Sequence, residues 1–251
     1  MPFKQKDILL TGGSGGLGLL ISGEFLEAGA RVTVIDRIAP TNACAFLQHD
    51  LSTAEGIEAA AADVANRPWD IVVNLAGIQH FGPFEQQSPG HLLASYLVNL
   101  VAPVRLTQAS LRHMKACGRG QIINVGSIFG SINFAHFATY SSAKAGLRGF
   151  SQALRRELTG TGIGVTYVAP RAVRTALNTA AVMEFAKLTH MRIDEPDVIA
   201  HRIVRAIRDR KSEVYIGFPE SAYVLVNAVV PGLVDGVLAA SDRKAAKLFG
   251  A

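Results

Sequence analysis

Ile8-Leu9-Leu10-Thr11-Gly12-Gly13-Ser14-Gly15-Gly16-Leu17-Gly18 decides how this chain folds. A short apolar run stops at a cluster of glycines, and a helical pattern begins at once. The run reads as a strand buried on both faces of a parallel sheet. Gly12 lets the chain turn sharply. Gly16 removes a side chain where backbone N–H groups must approach a pyrophosphate, and Gly18 lets the next helix close on the sheet. The start of that helix offers unpaired N–H groups and the positive end of its dipole to an anion. A merely flexible turn would have the same composition. What separates the two readings is Asp36, 18 residues beyond Gly18, where an acidic residue faces the ribose of a dinucleotide.

Outward from this stretch, residues 19–28 continue as a helix that Gly29 stops. Residues 31–36 form a second strand ending on Asp36. A carboxylate there accepts from the ribose 2′- and 3′-hydroxyls and repels a 2′-phosphate, which favours NAD over NADP. Arg37 follows, and its guanidinium could hold that phosphate. Further strands are expected at 43–49, 69–75, 121–125, 164–168 and 213–216, with helices at 53–65, 89–114, 137–160 and 195–210. The alternation predicts an α/β fold, a Rossmann-type doubly wound parallel sheet of about seven strands flanked by helices.

The 251 residues suffice for one large core, so residues 1–251 read as a single domain, with 218–251 its C-terminal extension. A 49% hydrophobic and 18% charged composition is that of a globular chain. The net charge of +5 is either ordinary surface charge or an attraction to an acidic partner: an acyl carrier protein, an anionic membrane surface or the cofactor. No basic stripe interleaved with aromatics is present, which argues against nucleic acid. Cys44 and Cys117 make neither a disulfide framework nor a metal site. The early first strand leaves no room for a signal peptide, so a cytoplasmic location is expected, with peripheral membrane contact as an option.

Tyr140 and Lys144 lie four apart and share one helix face. A phenol with an ordinary pKa of about 10 needs roughly 4 kcal/mol of help to trade protons with an alcohol near neutral pH. A nearby ammonium and a cationic nicotinamide can supply it. Ser127 closes the fifth strand, where ligands of open α/β sheets sit, and could hydrogen-bond a substrate oxygen. Singly, each has a plain alternative: a surface tyrosine, a solvated lysine, a turn cap.

In combination these residues resemble the short-chain dehydrogenase/reductase family in its compact form, over residues 5–217. Thr11-Gly12-x-x-x-Gly16-x-Gly18 looks like its cofactor motif. Asn74-Leu75-Ala76-Gly77 is similar to its Asn-Asn-Ala-Gly motif, with Leu75 in place of the second Asn. Asp50-Leu51 matches its acidic pair at adenine, and Asn99, Ser127, Tyr140 and Lys144 match its catalytic positions in order and spacing. The resemblance implies that Tyr140 is the general acid/base and that Lys144 lowers its pKa and binds the nicotinamide ribose. It implies that Ser127 orients the substrate oxygen and that Asn99 holds a water linking Lys144 to solvent. Cofactor contacts are implied at Gly12, Ser14, Gly16, Leu17, Gly18, Asp36, Asp50, Leu51, Asn74, Ala76, Gly77, Tyr140, Lys144, Pro170 and Thr175. It also implies a homo-oligomer, dimer or tetramer, paired through the two long helices.

Two departures stand out. Pro170-Arg171 replaces the family's Pro-Gly, putting a cation near the nicotinamide or the pocket mouth, where it binds an acidic substrate group or points to solvent. The C-terminus continues through an apolar stretch, 221–239, that Asn227, Pro231 and Asp235 interrupt and that makes a poor transmembrane span. It is either a helix packed on its own domain or a dimer partner, or an apolar lip that meets a membrane or lipid-like substrates. Phe129, Phe134, Phe137 and the run 183–188 fall where the family builds its pocket; they suggest an apolar substrate or are simply core.

The expectation is an NAD-dependent oxidoreductase interconverting a secondary alcohol and a ketone on a hydrophobic lipid-, acyl- or steroid-like molecule, with no metal. Ser127, Phe134, Phe137 and Arg171 are its candidate substrate contacts. A 3-oxoacyl thioester reductase served by an acyl carrier protein is the enzymatic alternative, and a non-catalytic dinucleotide sensor the alternative of another class.

Overall fold

A computed structural model describes residues 2–249. Among these, β1 (Asp7–Thr11), β2 (Arg31–Asp36), β3 (Ala45–Gln48), β4 (Ile71–Asn74), β5 (Gly120–Val125), β6 (Ile163–Pro170) and β7 (Glu213–Ile216) pair in parallel throughout. Their order is 3-2-1-4-5-6-7. The chain reverses direction across the sheet between β1 and β4, so the ligand crevice of such a sheet lies at the C-terminal ends of those strands.

Alternate residues of β1 feed two separate cores. Ile8 and Leu10 pack on one face with Ile21 and Phe25 of α1 (Gly16–Glu27) and Ile203 and Ile207 of α7 (Pro196–Arg208). Leu9 packs on the other with Ile57 of α2 (Ala54–Ala65), Leu106 of α4 (Ala102–Cys117) and Leu154 of α5 (Ala138–Glu157). Each such side chain contributes about 1.5–3 kcal/mol by leaving water, and burial on both faces makes the strands near-continuous apolar runs. Local chemistry sets the helix ends. Thr53 accepts from Gly56 N–H to start α2, Ser88 accepts from His91 N–H to start α3 (Pro89–Tyr96), and Gly118 at φ +61° stops α4.

The single helix expected at 89–114 is interrupted. Between α3 and α4 the chain makes a π-helical turn, Leu97–Val101, in which Ala102 N–H reaches back to Leu97 O. Pro103 has no N–H for the carbonyl of Asn99, and the wider turn accommodates the loss. The expected strand at 43–49 is shorter, ending as the outer strand β3.

Beyond β6 come α6 (Ala180–Leu188), α7 and β7. The apolar C-terminal stretch folds as two helices, α8 (Glu220–Val229) and α9 (Pro231–Lys247), divided where Pro231 cannot continue the first. One side packs on the domain: Val224, Val234 and Leu238 lie against Ile128, Ile132 and Phe134. No helix among the described residues is long and apolar enough to cross a membrane.

Candidate active site

Thr11, at the end of β1, ties the glycine turn to the end of β4: its hydroxyl accepts from the N–H groups of Leu75 and Ala76, each at 3.1 Å. Backbone approach is then too close for side chains. A β-carbon on Gly12 (φ +71°) would sit 2.8 Å from Ala76 Cα, and one on Gly18 would sit 2.1 Å from the Gly12 carbonyl oxygen. The start of α1 follows Gly15 with no side chain capping its N–H groups. Asp36 turns toward this loop and accepts from Ser14 N–H at 3.0 Å and Arg37 N–H at 2.7 Å. Thr175 lies over Gly16, its Cγ2 3.3 Å from where a β-carbon would be. Open N–H groups, absent β-carbons and a carboxylate at the second strand's end fit a dinucleotide, pyrophosphate at the helix start and ribose at Asp36.

The reacting end is built at β4 and β5. Tyr140 and Lys144 are one turn apart on α5, both buried, with the ammonium 5.7 Å from the phenol ring centre. Lys144 Nζ donates to the Val125 carbonyl at 3.0 Å. Two residues on, Ser127 caps a short 3-10 turn, Ile128–Gly130, by accepting from Phe129 N–H at 3.1 Å. Its hydroxyl also lies within reach of the Tyr140 phenol, where it can donate to that oxygen or to a substrate oxygen between them. Asn99 projects from the π-turn; its amide donates to Ile78 O at 2.7 Å and Ser95 O at 2.8 Å. Its Oδ1 is buried without a partner among the described residues, close to the space above Gly77. An orphan acceptor beside a buried ammonium is a site for a water or a ligand hydroxyl.

Burial dominates the titration of both groups. It pushes the Tyr140 phenol up to about 12, with the Ser127 hydroxyl acting the other way. It lowers Lys144 to about 8. The chain alone therefore keeps the phenol protonated: desolvation dominates, and the one group that lowers its pKa is Ser127, not Lys144 as expected. A nicotinamide dinucleotide held at the glycine turn would add positive charge at this end of the site.

Several expected contacts have other duties. The Asn74 amide donates to Asn124 Oδ1 at 2.8 Å and Thr107 Oγ1 at 3.2 Å, pinning β4 to β5 and α4, so its side chain does not face the crevice. Asp50 accepts from the N–H of Ser52 at 2.9 Å and from its hydroxyl at 2.6 Å; Leu51 is core beside α2, and Leu17 packs on the core beneath α1. The Asn74 amide nitrogen and the Leu51 side chain are thus committed to the fold, while Asn74 Oδ1 has no partner among the described residues and Leu17 is only partly buried. Phe137 is fully buried, clasped by Phe81 and Phe129 at centroid distances of 4.7 and 4.8 Å, so it supports the wall rather than forming it. Phe134 stacks on Phe129, which meets the Tyr140 ring edge-on at 6.3 Å. Arg171 departs most from expectation. It grips Asp194 through two nitrogens and Glu220 at 2.9 Å, neither free for a substrate nor turned to solvent. Its two partners lie far along the chain, which is why its neighbourhood in sequence misleads.

Three supporting residues were invisible as such in the sequence. Thr11 clamps the two loops. Tyr167, buried in β6, donates to the Ser127 carbonyl at 3.3 Å and steadies the backbone that carries the Ser127 hydroxyl. Gln79 donates to Leu177 O at 2.7 Å and Asn178 Oδ1 at 3.0 Å, tying the loop after β4 to the loop that carries Thr175. Their only signal is a polar side chain in or beside a buried strand end, where an unsatisfied group is costly.

Fold and site together define an oxidoreductase that uses a nicotinamide dinucleotide and acts on CH–OH or C=O groups. The chain belongs to the short-chain dehydrogenase family, whose model matches residues 6–184. It is 31% identical over 227 residues to a protein named ketoacyl reductase HetN from Nostoc sp., covering 84% of this chain and 78% of that one. It is 29% identical over 240 residues to the 3-oxoacyl-[acyl-carrier-protein] reductase FabG of Vibrio cholerae, covering 89% and 94%. A short-chain dehydrogenase from Burkholderia cenocepacia, solved with NADP, shares the fold at a TM-score of 0.80 and 21% identity over 95% of this chain and 99% of that one.

Proposed function

We propose that this chain is an NAD-dependent dehydrogenase/reductase interconverting a secondary alcohol and a ketone on a hydrophobic molecule. The observation that carries the chemistry is the convergence of Tyr140, Ser127, Lys144 and the orphan Asn99 Oδ1 at the strand ends beside the glycine turn. A nicotinamide dinucleotide supplies the hydride or takes it up. Ser127 donates a hydrogen bond to the substrate oxygen. Tyr140 gives that oxygen a proton during reduction or takes one during oxidation. After reduction Lys144 balances the charge left on the phenolate and relays a proton to it, and the amine is reprotonated from solvent through a water held by Asn99 Oδ1; oxidation runs the same steps in reverse. Asp36 supports NAD, since it meets the glycine turn where a ribose 2′-phosphate would bring a second negative charge. Phe129 and Phe134 beside Tyr140 support an apolar substrate.

A second reading takes the substrate as a 3-oxoacyl thioester on an acyl carrier protein. The two relatives named as ketoacyl or 3-oxoacyl reductases and the net charge of +5 support it. Steady-state assays of NADH and NADPH turnover on apolar ketones and acyl thioesters separate the two. Tyr140→Phe decides whether the chain is an enzyme at all: turnover should fall about 10²–10⁴-fold while NADH still binds. Equal inactivity of wild type and variant across the panel would favour a dinucleotide sensor.

A further inference from the structure

The α8–α9 hairpin carries large aliphatic side chains that nothing among the described residues covers. Leu225, Val226, Val229, Val230, Leu233 and Val237 follow one another across the break at Pro231, with Leu225 exposed at 72%, Val229 at 80% and Val237 at 64%. The hairpin already has a separate buried stripe in Val224, Val234 and Leu238, so its own packing does not use these residues. Isolated exposed aliphatics are ordinary, but a run of this kind on one projecting element is the mark of an interaction surface.

The charges on the hairpin are sorted as well. At 3.6 residues per turn, Leu233, Val237, Ala240, Lys244 and Lys247 fall on one outward stripe of α9, while Asp235 and Asp242 fall on the opposite side. The stripe is aliphatic toward the hairpin turn and basic toward its other end. Lys244 also reaches the end of α6, donating to the Leu188 carbonyl at 3.3 Å, where the Leu188 side chain is itself exposed.

We propose that this face docks on a lipid bilayer bearing anionic headgroups. The hairpin turn enters the boundary between headgroups and acyl chains, and Lys244 and Lys247 meet the phosphates. A second copy of the chain fits less well. Parallel pairing of the stripe with itself would bring lysines together, and antiparallel pairing would set them against the aliphatic end; a bilayer accommodates both ends at once. The hairpin rests on the segment that begins directly after Ser127, so an apolar substrate leaving the bilayer would arrive beside Tyr140. That last step rests on the apolar-substrate reading; the docking does not.

Flotation with phosphatidylcholine vesicles, with and without phosphatidylglycerol, tests the docking in the absence of substrate. The protein should float with the mixed vesicles, less so at high salt. Lys244→Gln with Lys247→Gln should weaken that binding by about tenfold or more. Leu225→Ser with Val229→Ser and Leu233→Ser should abolish it, while NADH fluorescence shows the variant still folded. Val237→Ser alone, expected to weaken flotation, serves if the triple variant does not fold. Wild-type protein that stays unbound with both vesicles overturns the proposal. So does a triple variant whose particle mass by light scattering falls to that of a smaller oligomer, which would make the face a contact between copies.

Discussion

Asn99 and Lys144 reach toward the same point, the missing side chain of Gly77: a β-carbon there would lie 3.0 Å from Asn99 Oδ1 and 3.6 Å from Lys144 Nζ. One residue comes from the π-turn before α4 and the other from α5, and the glycine lies early in the loop after β4. Gly77→Ala would insert a methyl group between an orphan acceptor and a buried ammonium. Displacements of about 1 Å at a reacting centre cost on the order of a hundredfold in rate. We expect kcat/KM to fall about ten- to a hundredfold with a thermal midpoint close to wild type, because the neighbours are side-chain tips that can give way. Turnover and a thermal melt of the same preparation check it; full activity would mean the space above Gly77 takes no part in the reaction.

Asp36 sets the expectation for cofactor choice. Wild type should turn over NADH with a higher kcat/KM than NADPH. Asp36→Ala also removes the acceptors of Ser14 N–H and Arg37 N–H, so both cofactors should bind less well. The ratio is therefore the quantity to measure. Removing the like charge should shift it toward NADPH by about tenfold or more, with Arg37 then available to the 2′-phosphate. A wild-type preference for NADPH, lost in Arg37→Ala, would reverse the assignment.

Residues whose partners lie on the same element or at a neighbouring strand end were legible in the sequence. Tyr140 and Lys144 are four apart on one helix, and Gly12 and Gly18 bracket one turn, so spacing alone encodes their geometry. Asp36 was legible because strand β2 must end beside β1. Residues that act through distant partners were not. Asn74 meets Asn124, 50 residues later, and Arg171 meets Asp194 and Glu220, 23 and 49 residues later. A side chain of that kind reads from its local motif as a ligand contact, and only the assembled sheet shows the competing partner. The π-turn at Asn99 lies between these cases: Pro103 was visible, but a proline allows a kink, a break or a wider turn, and packing selects among them.

The lowered Lys144 makes ketone reduction sensitive to mild alkali. In the proposed mechanism the amine, charged below its pKa of about 8, compensates the phenolate that Tyr140 leaves after giving up its proton. As pH rises through about 8 that charge is lost, so the reductive kcat should decline. The stability effect has the opposite sign. The folded amine is harder to protonate than the unfolded one at 10.5, so between about 8 and 10.5 the unfolded chain binds more protons and stability from this group rises with pH. Loss of rate at pH 9 should thus come without loss of fold. A pH–rate profile at saturating NADH, with circular dichroism at each pH, checks this. Lys144→Arg, which stays charged, should lack the decline near 8 whatever its absolute rate. A decline that persists unchanged in that variant would assign it to another group.

Arg171 should matter for stability and not for substrate charge. Its guanidinium is bidentate to Asp194, and it reaches Glu220 and the Phe218 carbonyl, joining the end of β6 to the start of α8. All three charged side chains are largely buried, with 12, 19 and 18% exposed for Arg171, Asp194 and Glu220. Arg171→Met would leave two carboxylates facing each other without a cation, and removing one partner of a buried pair costs about 3 kcal/mol or more. For a chain of this length that corresponds to a fall of about 10 °C in the thermal midpoint. Arg171→Lys keeps the charge but cannot make the two-pronged contact, and should fall between. The KM for an acidic ketone relative to a neutral analogue should stay the same in both variants. An unchanged melt combined with a selective rise in KM for the acidic ketone would return the guanidinium to the substrate.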